Sequence, residues 1–243
     1  MRTVKIKIYD DAQMDNVGFD NCEPRTNGEY NLLQKILQPN DLVLDIGANK
    51  GDWSKQALEK GTSVIAFEPV PHEFAELQQI KHPKFTAYQF ALDEIDGTHE
   101  LHVCVKPLER GMSSLFRNWS DWKTITVPTR SLDSFILEHQ IGYIDFAKID
   151  TEGAEANILF GSKHILSRQN IGCIQFEYGG CYPDAGKTLY EVYHYLTGYG
   201  YKIYRLVSDG MVRIDKWHDE LENSLYSNYI AHAPNVNFVS DLT

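Results

Sequence analysis

The sequence predicts an α/β fold on a mostly parallel sheet, and two observations carry that prediction. Short apolar runs alternate with helical stripes from residue 41 to residue 92, the pattern of parallel strands joined by right-handed helical crossovers. The same alternation resumes at Tyr143 after a less regular middle.

Taken in order, Leu32, Leu33, Ile36 and Leu37 form a helical stripe over Glu29 to Leu37 that stops before Pro39. Asp41 to Ile46 is a short apolar strand, and GANKGDWSKQALEKG supplies a turn and a helix ending at Gly61. Ser63 to Phe67 reads as the second strand, Pro69 to Ile80 as a helix and Phe85 to Leu92 as the third strand. His99 to Val105 alternates as a strand, and Ile125 to Val127 begins another extended piece. Between them, Gly111 to Asp121 reads as an exposed loop, either a lid or an ordered surface insertion. Ser131 is placed to cap a helix carrying Leu132, Phe135, Ile136 and Leu137.

Tyr143 to Ile149 is then a strand ending in DTEGAE, where Asp150 or Thr151 is expected to cap a helix running on to Leu166. Ile171 to Phe176 is a strand and Lys187 to Leu196 a helix. A hairpin follows, Tyr201 to Val207 with Met211 to Ile214, and Ser227 to Ala233 is a final strand. With no repeat and no long linker, residues 1–40 are expected as an amino-terminal strand and helix extension to a domain over 41–243.

Composition narrows the function. With 42% hydrophobic and 23% charged residues the chain is globular in character. Its 34 acidic against 23 basic residues, a formal charge of -11, disfavour the positive surface that nucleic-acid binding needs. No apolar run suits a membrane span, and the amino terminus has no signal-peptide pattern. The default expectation is cytoplasmic, with no nucleic-acid or membrane partner. A homo-oligomer is compatible with the sequence. Cys22, Cys104, Cys173 and Cys181 show no CxxC spacing, and Cys104 and Cys173 read as small buried hydrophobes.

The chemistry concentrates at strand ends. In VLDIGANKGDWS a strand precedes and a helix follows a glycine turn. Gly47 permits a backbone geometry denied to larger residues, and Gly51 permits close strand-helix approach. Asp45 sits just before the turn, awkward beside a pyrophosphate but suited to the sulfonium or ammonium of S-adenosylmethionine. Glu68, at the end of the next strand, can accept hydrogen bonds from both hydroxyls of a ribose. Either acid alone serves equally well for solvation or capping; together at successive strand ends they define a nucleoside site. The turn is GxxxG, neither GxGxxG nor a Walker sequence, so a nucleotide-dependent oxidoreductase fits less well. A noncatalytic protein that binds the same cofactor is a further alternative.

Six segments in order from Leu42 to Gly179, namely LVLDIGANKGDWS, VIAFEPVPHEF, FALDEIDGTHELHV, VPTRSLDSFI, FAKIDTEGAEANILFG and IQFEYG, resemble the FkbM family of S-adenosylmethionine-dependent methyltransferases. FEP followed much later by KIDTEGAE is the specific part. The resemblance implies a Rossmann-like class I methyltransferase fold, a seven-stranded sheet with an antiparallel last strand. It also implies methylation of oxygen on a small molecule such as a sugar, polyketide or other specialised metabolite. Carried onto this chain, it puts Asp45, Gly47, Ala48, Asn49 and Gly51 in the cofactor loop, Glu68 on ribose, and Phe90, Ala91 and Leu92 beside adenine, with Asp93 less securely placed.

Asp150 and Glu152, together with Glu177 near the end of the next strand, are the candidate catalytic groups. A carboxylate there can orient a hydroxyl and take its proton as it attacks the methyl carbon. Glu155 belongs to the same cluster, where negative charge also favours a helix start. A divalent cation is compatible with these oxygens, but three nearby acids do not define a metal site and no metal ligand is assigned. His72, His164 and His232 are weaker catalytic candidates. Ser113, Ser114, Trp119, Trp122, Tyr178 and Tyr182 are candidates for closing or shaping an acceptor pocket.

Overall fold

The central strands are buried almost continuously because both faces of the sheet are covered by helices, and successive side chains pointing to opposite faces sort the core into two layers. The computed structural model describes residues 2–10, 21–104, 113–117 and 122–240. In chain order the elements are β1 (Arg2–Ile6), β2 (Ile8–Tyr9), α1 (Glu29–Ile36), β3 (Leu42–Ile46), α2 (Asp52–Glu59), β4 (Ser63–Phe67), α3 (Pro71–Leu77) and β5 (Phe85–Tyr88). The middle contains β6 (Ala91–Leu92), β7 (Gly97–Val103), β8 (Lys123–Arg130) and α4 (Leu132–Glu138). Then come β9 (Ile144–Ile149), α5 (Glu155–Phe160), α6 (Lys163–Ser167), β10 (Ile171–Tyr178), α7 (Cys181–Asp184) and α8 (Leu189–Gly198). The carboxyl end supplies β11 (Lys202–Val207), β12 (Gly210–Ile214), β13 (Ser227–His232) and β14 (Val236–Ser240).

The main sheet has the order β2-β12-β11-β13-β10-β9-β3-β4-β5. Neighbours from β5 to β10 pair in parallel, and β13 inserts antiparallel between β10 and β11. The expected seven strands with one reversed are its inner part, β5 through β11. Two more extend it: β12 returns from β11 as a hairpin, and β2 pairs with β12 in parallel, which covers an edge that would otherwise be open. Of the inner seven, the reversed strand, β13, is the last in chain order; β14 follows it in the chain but pairs with β1 in a separate two-stranded sheet.

Three local expectations change. The single strand expected over Phe85 to Leu92 divides: β5 stays in the main sheet, while β6 joins β8 and β7 in a separate three-stranded sheet. The helix expected to run to Leu166 breaks at Gly161, where a Cβ would lie 2.6 Å from the Asp93 carbonyl oxygen, an approach that only glycine allows. Neither Asp150 nor Thr151 caps α5, whose N-cap is Ala154. Ser131 does cap α4, its side chain accepting from Ser134 N at 3.2 Å.

Leu44, Ile46, Ala147, Ile149, Ile174 and Phe176 face one core layer. Val43, Phe146, Cys173 and Ile230, the alternate residues, face a second layer shared with Leu32, Leu33 and Ile36 of α1, Trp53 of α2, and Val4 and Ile6 of β1. Residues of the 1–40 segment thus pack into the same core as the main sheet. Among the described residues no helix is long and apolar enough to cross a membrane.

Candidate active site

Polar residues enter the α1 face of the sheet at its carboxyl edge, in register. Asp45 pairs across β3 and β9 with Lys148, and Lys148 across β9 and β10 with Gln175. Two residues further along, the same alternation brings Asp150 and Glu177 to neighbouring strand ends. Above them, Glu29 of α1 accepts from Gln175 Nε2 at 2.6 Å and from Asn27 Nδ2 at 2.7 Å.

Lys148 is the charge around which this group is arranged. Its Nζ lies 2.6 Å from Asp150 Oδ2. Burial acts to discharge the ammonium, but Asp150, Asp45 and Glu29 outweigh it and hold the pKa above that of an ordinary lysine. Burial likewise acts to raise Asp150, and Lys148 more than offsets it, so this carboxyl stays ionised. Glu177 goes the other way: burial, then Asp150, Glu152 and Glu155, push it well above the ordinary value. Two carboxyls sharing a site are expected to be driven apart in this way, the one paired with a lysine lowered and the other raised.

Glu152 occupies the turn after β9 in a left-handed backbone conformation, φ 59°. Its carboxyl is raised to about 7 by burial, then by Asp150 and Glu155. Cys181 Sγ donates to it at 3.4 Å. Its backbone carbonyl accepts from Ser114 Oγ at 2.6 Å, which ties residues 113–117 to this turn. Glu155 has a structural role: its carboxylate turns back to accept from Thr151 N at 2.7 Å, Thr151 Oγ1 at 2.9 Å and Gly153 N at 3.0 Å.

The glycine turn packs against the next strand loop. A Cβ on Gly47, whose φ is 80°, would sit within 1.9 Å of the Asp150 carbonyl oxygen. Gly47 N and Ala48 N both donate to Phe67 O at 3.0 Å. Glu68 closes the turn, accepting from Asn49 N and Val70 N, each at 2.8 Å. Burial raises its pKa to about 7 against the lowering effect of those two bonds.

These residues border a cavity of about 720 Å³, large enough for a nucleoside cofactor with an acceptor beside it. Asp45, Gly47, Ala48, Asn49, Glu68, Phe90, Ala91 and Leu92 all line it, as do Asp150, Glu152 and Glu177. Gly51 does not line it. At that position a Cβ would lie 2.5 Å from Ile80 Cδ1 and 2.6 Å from Leu77 Cδ1, so its smallness serves the packing of α2 against the α3 end. Asp93 is also away from the cavity wall, its Oδ1 accepting from Asn157 Nδ2 at 2.9 Å and from Glu94 N at 2.8 Å.

The wall suits S-adenosylmethionine on a specific point. Asp45 is wholly buried; its Oδ2 accepts from Ser54 Oγ at 2.6 Å, and its Oδ1 has no donor among the described residues. An unpaired buried carboxylate oxygen calls for a cationic or N–H partner. The Glu68 oxygens, each with one N–H, retain acceptor capacity for ribose hydroxyls.

The weaker candidates separate cleanly. His232 pairs in register with Cys173 near the start of β10, at the opposite edge of the sheet, where its Nδ1 contacts Ala233 O at 3.0 Å. His72 and His164 do not line the cavity, and neither do Tyr178, Tyr182 or Trp122. Tyr178 instead donates to Glu222 and accepts from Ser224 N. Ser113 and Arg117 line the cavity, while Ser114 is buried behind it; Trp119 and most of the expected loop over 111–121 lie outside the described residues. Sequence reasoning missed Lys148, Glu29, Trp53 and Tyr226, all of them on the wall. A lysine inside the otherwise apolar strand FAKI was a legible signal for the first.

The strand order, with β13 reversed between β10 and β11, and this cavity at the carboxyl edge give the protein the Rossmann-like fold of a class I methyltransferase. A family model described as the methyltransferase FkbM domain matches residues 45–203, and the chain belongs to the FkbM family of S-adenosylmethionine-dependent methyltransferases. It is 26% identical over 154 residues to the 2-O-methyltransferase NoeI of Sinorhizobium fredii, a match covering 56% of this chain. The chain spans 63% of that relative's length, less than two thirds.

Among solved structures it is similar to a precorrin-6y C5,15-methyltransferase from Geobacter metallireducens, with 12% identity, a TM-score of 0.47 and coverage of 90% of this chain and 95% of that one. It is also similar to the 1,6-didemethyltoxoflavin-N1-methyltransferase of Burkholderia thailandensis, with 15% identity, a TM-score of 0.44 and coverage of 87% and 79%. Family membership displaces the oxidoreductase alternative. S-adenosylmethionine is the cofactor of this enzyme class.

Proposed function

We propose that the chain methylates a hydroxyl group of a small hydroxylated molecule, a sugar, polyketide or other specialised metabolite. One observation carries the reading: the carboxyl cluster of Asp150, Glu152 and Glu177 shares a single cavity wall with the cofactor residues Asp45 and Glu68. A wall of carboxyls that both donate and accept suits a hydroxylated ligand. The 2-O-methyltransferase relative supports transfer to oxygen.

S-adenosylmethionine, when bound, supplies an electrophilic methyl carbon on a sulfur that leaves as a neutral thioether. Glu68 holds the ribose hydroxyls, Asp45 faces the positive charge of the amino-acid end, and Phe90, Ala91 and Leu92 border the adenine. Across the cavity, Glu152 orients the acceptor hydroxyl and takes its proton as the oxygen bonds to carbon. Its pKa of about 7 suits a base at neutral pH, whereas Asp150, paired with Lys148, is a weaker base. Lys148, paired with Asp150, and Glu177 complete the polar wall beside the acceptor, and the lysine ammonium favours negative charge developing on the acceptor oxygen.

The experiment is transfer of a labelled methyl group to a panel of glycosides, polyols, phenols and amines. Product on a hydroxyl compound, lost in Glu152→Gln, supports the reading. Transfer confined to amines would replace oxygen by nitrogen as the target. Cofactor binding with no transfer to any acceptor would favour a noncatalytic binding role.

A further inference from the structure

Beside the glycine turn, two cavity-lining residues each carry a buried side-chain atom with no hydrogen-bond partner among the described residues, and the two atoms are opposite in character; the Glu73 carboxylate on α3 adds further acceptors without a hydrogen bond elsewhere on the wall. Of the two beside the turn, one is the acceptor Asp45 Oδ1; the other is the donor Nε1 of Trp53. Trp53 is 6% exposed, and a buried indole N–H with no acceptor bears an uncompensated desolvation penalty. Its ring is held from behind, stacked on Phe146 with centroids 5.7 Å apart. Ser54, the next residue on α2, donates to Asp45, so the two unpaired atoms belong to side chains linked through one helical turn.

We propose that Trp53 is a cofactor-binding residue whose indole N–H donates to the α-carboxylate at the amino-acid end of S-adenosylmethionine, while Asp45 Oδ1 accepts from the α-ammonium. The inference rests on the cofactor reading above and adds to it a residue that reads the zwitterion. The physical logic is one of complementarity. An α-amino acid group carries one strong acceptor and one strong donor on a single carbon, and Trp53 and Asp45 leave one donor and one acceptor unused beside the glycine turn. A carboxylate suits the indole because hydrogen bonds to a charged partner are the stronger kind. Tyr30, from α1, borders the cavity as well, so the first helix helps to enclose this end.

Calorimetric titration of the full chain distinguishes the outcomes without an acceptor. The probes are S-adenosylhomocysteine and its decarboxylated analogue, which keeps the ammonium, ribose and adenine. Wild-type protein should bind the analogue at least about tenfold more weakly. In Trp53→Phe, affinity for S-adenosylhomocysteine should fall about tenfold while affinity for the analogue stays within about twofold, since the removed N–H has no carboxylate to serve there. Equal loss for both ligands would assign Trp53 to packing alone and overturn the proposal. Equal affinity of the wild type for both ligands would also overturn it, and needs no variant to fold. Wild-type protein that binds neither ligand would overturn the cofactor reading itself.

Discussion

Lys148 Nζ lies 2.6 Å from Asp150 Oδ2, the residue just past the end of β9, with the lysine buried and Asp45 and Glu29 contributing further negative charge. A lone buried ammonium would be costly, and so would the carboxylates without it. The site is therefore held by a balance of charge that no one of these residues supplies alone.

Removing one member of that balance should be severe. Lys148→Met leaves Asp150 ionised and buried without its partner, and a loss of about 3–5 kcal/mol is expected in denaturant unfolding. Lys148→Met with Asp150→Asn should recover part of it; a double variant no more stable than the single one would show that the pair is not the source of the loss.

Glu68 and Glu155 are both buried acids, but only Glu68 lines the cavity. Glu68→Ala should weaken S-adenosylhomocysteine binding by about 10- to 100-fold, the worth of one hydrogen bond to a charged group or somewhat more. Glu155→Ala releases the 151–153 turn and should chiefly lower the melting temperature. If Glu155→Ala costs more cofactor affinity than Glu68→Ala, Glu68 is not the ribose ligand.

The pH dependence has a definite sign. Glu152 has an ordinary value of 4.5 and is raised to about 7 in the folded chain. Between those values the folded state holds more protons than the unfolded one, so this group makes stability fall as pH rises from about 4.5 to about 7. Glu152→Gln should flatten part of that fall in thermal unfolding of the cofactor-free protein. Methyl transfer should move the opposite way, rising through about pH 7 as the base ionises.

Gly47→Ala should be poorly tolerated for a backbone reason. Its φ is 80°, and the added methyl would meet the Asp150 carbonyl oxygen at 1.9 Å, so the loops after β3 and β9 must separate. A loss of at least about 2 kcal/mol is expected, with weaker S-adenosylhomocysteine binding; a variant of wild-type stability would show that the two loops can part freely.

Much of this was legible in residue order. The apolar alternation announced the parallel sheet, and acids at successive strand ends announced the cavity edge, because strand ends in such sheets converge there. Gly51 illustrates the limit: a GxxxG spacing cannot tell a glycine that admits a ligand from one that admits Leu77 and Ile80. His232 illustrates another, since the direction of β13 decides at which edge of the sheet its last residue falls. The DTEGAE segment read as a capped helix start, yet the helix waits until Glu155, whose side chain supplies the turn with acceptors.

From its sequence alone the chain's α/β class, its cofactor turn and the set of acids near it could be stated, since these depend on periodicity and on residues close together in the chain. Only the tertiary structure decided how those acids differ. Lys148 in register beside Asp45 keeps Asp150 ionised, the crowding of buried carboxyls raises Glu177, and the left-handed turn at Glu152 presents a third acid in an environment of its own. Burial and neighbouring charge set each protonation state, and both are properties of side chains brought together across separate strands.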